Sequence, residues 1–199
     1  MTPRIVLASG SPRRADVLRQ LGLATTVMPS DVDERYLPDE TPEEHVERLA
    51  RSKAQAVSMN EPDALVVGGD TVVVDGRRVL GKPRSTEEAV TMLAGLAGRR
   101  HEVYSALAIA GPHGNVSGVA RASVRFRKFD PATARRYVDT GEPEDKAGAY
   151  GIQGMGAALV DAVDGDYYCV VGFPVSVFVR LLERAGWRYD FGTLTRLPV

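Results

Sequence analysis

Apolar residues recur along this chain in two alternating rhythms, and the polar residues that break them mark the candidate chemistry. Arg4 to Ala8 is a short β-rich run ending in Ser9-Gly10-Ser11, and the next residues read as a helix with Ser11 at its N-cap and Pro12 at its first position. Thr41-Pro42-Glu43-Glu44 opens a second helix, with a threonine cap, proline at the first helical position and glutamate at the third. Its register can be counted, because Val46, Leu49, Ala50, Ala54 and Val57 recur at three- and four-residue spacing and form one apolar stripe. Lys53 falls inside that stripe. A lysine there either snorkels outward along its stem or points into a cleft that contains negative charge.

The rest of the chain alternates strands and helices, with hairpins in its second half. Ala64 to Val67 predicts a short buried strand, interrupted at Gly68-Gly69-Asp70-Thr71. Val72-Val73-Val74 and Arg78-Val79-Leu80 flank a hairpin turn at Asp75-Gly76. Ser85 and Glu88 make a capping box for a helix with Ala89, Leu93 and Leu96 on one face, stopped by Gly98. His101 to Ala110 and Val116 to Phe126 read as paired strands around Gly111-Pro112-His113-Gly114-Asn115, the second with one wet face. Asp130-Pro131 starts a short helix that ends near Gly141, and Pro174 to Ala185 makes the last one. Internal repeats and low-complexity tracts are absent from the sequence.

Composition narrows the class. A chain of 199 residues, 44% hydrophobic and without a run long enough to cross a bilayer, predicts a soluble protein of one domain or two closely joined lobes. The formal charge of -1 supplies no general field for nucleic acid. Cys169 is the only cysteine, which excludes an internal disulfide, and the expected location is cytoplasmic, with no membrane partner. His45, His101 and His113 are too scattered to suggest a zinc site, so a metal would need oxygen ligands.

Charge and glycine gather in islands between the elements. Ser9 and Ser11, the loop amides, Arg13 and Arg14 converge on a helix start where a phosphate could sit, although two solvated arginines would read the same way. No Walker A loop or dinucleotide fingerprint is present. Asp33-Glu34 and Asp70 offer carboxylates, with Gly68 and Gly69 leaving the backbone bare beside Asp70, and Gly81-Lys82-Pro83 fixes a second lysine. Carboxylates with lysines and arginines suit Mg²⁺-assisted attack on a polyphosphate, and each island alone also has an ordinary structural reading. The stretch from Asp145 to Gly154 surrounds Tyr150 and Gln153 with small residues, suggesting either a loop wrapped round a flat ligand or a glycine-rich crossover.

Taken in order, these islands resemble one family. Leu7-Ala8-Ser9-Gly10-Ser11-Pro12-Arg13-Arg14, Asp33-Glu34, Ala50-Arg51-x-Lys53-Ala54, Gly69-Asp70-Thr71-Val72, Gly81-Lys82-Pro83, Gly98-x-x-His101 and Asp145-Lys146-Ala147-Gly148-x-Tyr150 together resemble the Maf family of nucleoside triphosphate pyrophosphatases. The resemblance implies an α/β fold over residues 1–199, an elongated mixed sheet with flanking helices in two lobes around a central cleft, similar to inosine triphosphate pyrophosphatases. It implies a cytoplasmic hydrolase that uses a divalent cation, Mg²⁺ or Mn²⁺, and cleaves a nucleoside triphosphate between the α and β phosphates. Members are often homodimers. The Tyr150-Gly151-Ile152-Gln153-Gly154 version of the last island is similar to the dTTP- and UTP-hydrolysing subgroup, with modified pyrimidine nucleotides as further substrates.

Carried over by position, the resemblance makes Asp70 the catalytic carboxylate, with Glu34, Lys53 and Lys82 completing the catalytic cluster and Asp70 and Glu34 holding the metal. Ser9 and Arg14 would line the phosphate end, and Arg13, Thr71 and Gln153 would set base preference. The competing expectations are a nucleotide-binding regulator of septum formation with little turnover, and a nucleic-acid module built on Arg121, Arg125 and Arg127, which the near-neutral charge disfavours.

Overall fold

The computed structural model describes residues 3–112 and 114–198. His113 lies outside the described residues. The chain divides into two compact units, one of residues through Asp70 with Ser105–Ala120 and Gly172 onward, the other of Thr71–Tyr104 and Arg121–Val171. The elements are, in order, β1 (Ile5–Leu7), α1 (Pro12–Gln20), β2 (Thr25–Val27), α2 (Pro42–Ser58), β3 (Leu65–Asp75), β4 (Arg78–Leu80), α3 (Thr86–Leu96), β5 (Arg100–Gly111), β6 (Gly114–Phe126), α4 (Pro131–Val138), β7 (Val160–Gly165), α5 (Tyr167–Val171), α6 (Val175–Arg184), β8 (Trp187–Tyr189) and β9 (Leu194–Arg196). Short 3-10 turns fill Glu142–Asp145, Ala147–Ala149 and Met155–Leu159.

The expected mixed α/β sheet is present, with seven strands in the order β2-β1-β3-β5-β6-β7 and β4 paired to β3. In the first unit β1 runs parallel to both neighbours, Leu7 lying opposite Val27 on one side and Val67 on the other. Buried on both faces, β1 needs a continuous apolar run, and Ile5-Val6-Leu7 supplies it. Val66, Leu49, Leu107, Ile109, Phe178 and Leu181 complete that unit's core. In the second unit, Leu93, Leu96, Val124, Phe126 and Tyr150 are buried, and β6 and β7 pair antiparallel. No helix among the described residues is long and apolar enough to cross a membrane.

Two local expectations need correction. The sheet does not break at Gly68-Gly69-Asp70-Thr71: β3 runs through them as one eleven-residue strand. Gly68 is glycine because α2 packs directly against it, and a Cβ there would run into the Ala50 carbonyl and lie 2.7 Å from the Ala54 nitrogen. The hairpin turn is Gly76-Arg77, one residue later than predicted, because Asp75 pairs with Arg78, and Gly76 takes the left-handed φ of +61° that the turn requires.

Candidate active site

The start of α2 sets the geometry of the site. Thr41 Oγ1 accepts the Glu44 amide at 3.2 Å and Glu44 Oε2 accepts the Thr41 amide at 2.9 Å, a closed capping box that fixes where the helix begins. From that start, Lys53 falls on the buried face with Val46, Leu49, Ala50, Ala54 and Val57. Its ammonium does not snorkel. Lys53 Nζ donates to Asp70 Oδ1 at 2.8 Å and pairs with Glu34 Oε1 at 2.6 Å. Lys53 and Asp70 are 7% and 8% exposed, whereas the Glu34 side chain is 59% exposed. One ammonium therefore holds a buried and a solvent-reaching carboxylate together, at a strand position where Asp70 cannot leave without opening the sheet.

Arg14 feels the charges of Asp70 and Glu34 in this cluster. Its Nε donates to the Gly172 carbonyl at 2.9 Å and its Nη1 to Ser9 Oγ at 2.8 Å. Burial pulls the guanidinium below its ordinary pKa, while the charges of Asp70 and Glu34 oppose that effect. Gly69 leaves room for this arginine, since a Cβ there would lie 3.3 Å from Arg14 Nε and 3.0 Å from Leu107. The bare backbone beside Asp70 thus admits the protein's own helix and guanidinium. Ser11 occupies the N-cap of α1 without a side-chain cap bond, and its amide donates to Ser9 Oγ at 3.3 Å. Ser9 and Arg14 are buried and directly joined, and Arg13, the next residue outward, is partly exposed.

Asp33 and Glu34 separate into different roles. Asp33 is exposed and takes both Nε and Nη2 of Arg35, at 2.9 and 2.6 Å to its Oδ2, which holds its pKa down at about 2. Glu34 alone turns to Lys53. The loop carrying it is tied down by residues that sequence reasoning passed over. Glu40, its side chain 7% exposed, accepts Arg48 Nε at 2.6 Å and approaches His45 Nδ1 at 2.9 Å, and Arg48 Nη2 also donates to the Arg35 carbonyl at 3.0 Å. Arg48 holds the Glu40 carboxyl down at about 2. Tyr36 stacks on His45 with ring centroids 3.5 Å apart, and its hydroxyl is pushed up to about 12 by burial and by the charges of Asp70 and Glu40. The available signal was local: His45 and Arg48 are three residues apart on α2, hence on one face.

The remaining predicted residues belong to the second unit. Thr71 follows Asp70 along β3 and is partly exposed. Lys82 is exposed beyond β4, where the Gly81 carbonyl accepts the Gly148 amide at 3.1 Å. Gln153 is exposed in the turn before Met155–Leu159. His101 is buried, with Nε2 2.8 Å from the Tyr150 hydroxyl, and burial lowers its pKa to about 4. The arginines of β6, and Arg127 just after it, are already engaged: Arg121 with Glu102 at 2.8 Å, Arg125 with Asp161 at 2.7 Å, and Arg127 with the Ala158 carbonyl at 2.6 Å.

Among the described residues no group of three or more histidine, cysteine, aspartate or glutamate side chains is arranged to hold a metal ion. What the structure brings together on the Lys53 ammonium is two carboxylates, those of Asp70 and Glu34. Oxygen donors of that kind are the ones a hard cation such as Mg²⁺ takes, through one or two carboxylates with its other positions left to water and phosphate.

The Maf-like protein family matches residues 4–185 of the chain. A relative from Anaeromyxobacter dehalogenans, named dTTP/UTP pyrophosphatase, is 49% identical over 191 residues, covering 94% of this chain and 96% of the relative. One from Moorella thermoacetica with the same name is 50% identical over 188 residues, covering 92% and 95%. Among solved structures, a nucleoside-triphosphatase / dITP/XTP pyrophosphatase from Mycobacterium abscessus aligns at 15% identity with a TM-score of 0.42, covering 91% of this chain and 94% of that one.

Proposed function

We propose a pyrophosphate-releasing nucleotide hydrolase, on the premise that the chain belongs to the Maf-like family. Its substrates in this reading are dTTP and UTP, as the names of the relatives suggest. The products are the nucleoside monophosphate and pyrophosphate. The single observation that carries the reading is the buried Lys53 ammonium shared by Asp70 and Glu34, with the Arg14 guanidinium beside them.

A triphosphate bound at such a cluster calls for an added cation. Two carboxylates against two buried cations leave the site near neutrality, so the substrate's own negative charge needs compensation. Asp70 and Glu34 would hold a divalent cation, Mg²⁺ or Mn²⁺, whose chemistry is polarisation of phosphoryl oxygen and water. Asp70 takes the proton of the attacking water, and the sheet holds it in place for that task. Lys53, once its carboxylates engage elsewhere, offsets charge developing on the α phosphate, and Arg14 with Ser9 orients the phosphate chain. Arg13, Thr71, Lys82 and Gln153 are proposed as further substrate contacts on the resemblance alone. The Gln153 amide offers both a donor and an acceptor, which matches O4 and N3–H of uracil or thymine.

The setting proposed is the cytoplasm, with a homodimer as the assembly. A septum regulator without turnover has no observation in its favour. The test is product analysis for dTTP, UTP, CTP, ATP and GTP, with and without Mg²⁺ or Mn²⁺. Monophosphate and pyrophosphate from dTTP and UTP, only with metal, support the reading. Orthophosphate with a nucleoside diphosphate would place the attack at the wrong phosphorus.

A further inference from the structure

The turn that carries Gln153 is held by a clamp from α4 and the residues after it. The Tyr137 hydroxyl donates to Glu142 Oε1 at 2.8 Å and accepts the Gly151 amide at 3.0 Å. Glu142 Oε2 accepts the Met155 amide at 2.8 Å, and Oε1 also accepts the Gly156 amide at 3.1 Å. Three backbone amides flanking Gln153 on both sides therefore converge on one carboxylate and one phenol. Lys146 Nζ donates to the Glu142 carbonyl at 2.5 Å and secures the clamp from behind.

The clamp also accounts for the glycines. A Cβ at Gly154 would strike the Glu142 carboxylate, one at Gly156 would lie 2.5 Å from the Tyr137 hydroxyl, and one at Gly151 would lie 2.7 Å from Lys146 Cε and 3.1 Å from Glu142 Oε1. None of the three has a left-handed φ, so close approach is the reason for glycine here. The small residues on either side of Gln153 are there to let the backbone close round Glu142 and Tyr137. Ile152 is buried between the two ends and Gln153 is exposed.

We propose that Glu142 and Tyr137 are specificity-positioning residues, which fix the backbone on either side of Gln153 and so limit the ways its amide is offered to a base. The proposal rests on the pyrimidine nucleotide reading above. Cytosine reverses the donor and acceptor positions of uracil, so a glutamine on a loose turn can rotate or shift to suit either base, and one on a held turn cannot.

Two measurements on the full chain test this, using Glu142→Ala and Tyr137→Phe. Amide hydrogen exchange at Gly151, Met155 and Gly156 should accelerate, by about fivefold or more for each lost bond. The ratio of kcat/KM for UTP over CTP should fall by a similar factor, with Glu142→Gln retaining part of it. A loss of fold alone would slow both substrates equally and leave the ratio unchanged. Unchanged exchange in both variants overturns the clamp, and faster exchange with an unchanged ratio overturns its role in base choice. A parent enzyme that releases no pyrophosphate from either nucleotide overturns the proposed activity instead, and the exchange data still decide the clamp.

Discussion

Lys53 Nζ lies 2.8 Å from Asp70 Oδ1, and both residues are more than nine-tenths buried. A buried charge is retained only when paired, and a strand carboxylate paired to a helix lysine is costly to keep for stability alone. Asp70→Asn keeps the shape and still accepts a hydrogen bond from Lys53, so the variant should fold. Its turnover of UTP should drop by about 10²–10⁴-fold, the usual range for loss of a general base. Steady-state kinetics beside a thermal melt checks this, and an active variant removes Asp70 from the mechanism.

Lys53→Met has a different signature. It leaves Asp70 and Glu34 facing one another without their ammonium, and removing one partner of a fully buried pair costs about 3–5 kcal/mol, less here because Glu34 reaches solvent. A divalent cation should then replace the missing charge. Thermal melts with and without Mg²⁺ should show a larger metal-induced rise in Tm for the variant than for the parent, while activity stays low in both conditions. Equal shifts in the two proteins would separate the carboxylates from metal binding.

The anchor of the Glu34 loop gives a third expectation. Glu40→Gln keeps an acceptor for Arg48 but loses the charge that Arg48 stabilises, so the loop should loosen at a cost of about 1–3 kcal/mol. With Lys53 and Asp70 untouched, kcat/KM should fall by about tenfold. Stability and kinetics unchanged together would show that Glu34 is placed without this network.

His101 predicts a pH dependence of stability. It is 2% exposed, its pKa falls to about 4 through burial, and Asp75 and Glu102 favour its charged form while Arg99 opposes it. Because the unfolded chain takes up this proton near pH 6.5 and the folded chain only near 4, the unfolded state binds more protons between these values. The contribution is present in full above pH 6.5 and is lost as pH falls toward 4, by roughly 3 kcal/mol at most. Denaturant unfolding across that window should show a steeper acid loss in the parent than in His101→Gln. Parallel curves would mean that the ring takes up its proton without unfolding.

Much of the site was legible because it hangs on helix starts. The Thr41 capping box fixes the register of α2, and the register alone puts Lys53 among Leu49, Ala50 and Val57. Other parts depend on contacts far apart in the chain. Gly68 and Gly69 look like a break until Ala50, Ala54 and Arg14 are seen against them. β2 is three residues with two exposed, β7 carries Asp161 and Asp164, and the β8–β9 hairpin pairs only Trp187 to Tyr189 with Leu194 to Arg196, so none shows a sustained apolar rhythm. Glu142 reads as one acidic residue among several until two backbone amides and the Tyr137 hydroxyl are found on it.

In the proposed reaction, water attacks the α phosphorus of a pyrimidine nucleoside triphosphate. Hydrolysis of UTP in ¹⁸O-enriched water with Mg²⁺, followed by mass spectrometry of the products, shows which phosphorus receives the new oxygen. Attack at the α phosphorus leaves one labelled oxygen in UMP and none in pyrophosphate. Label in pyrophosphate, or in released orthophosphate, would contradict it.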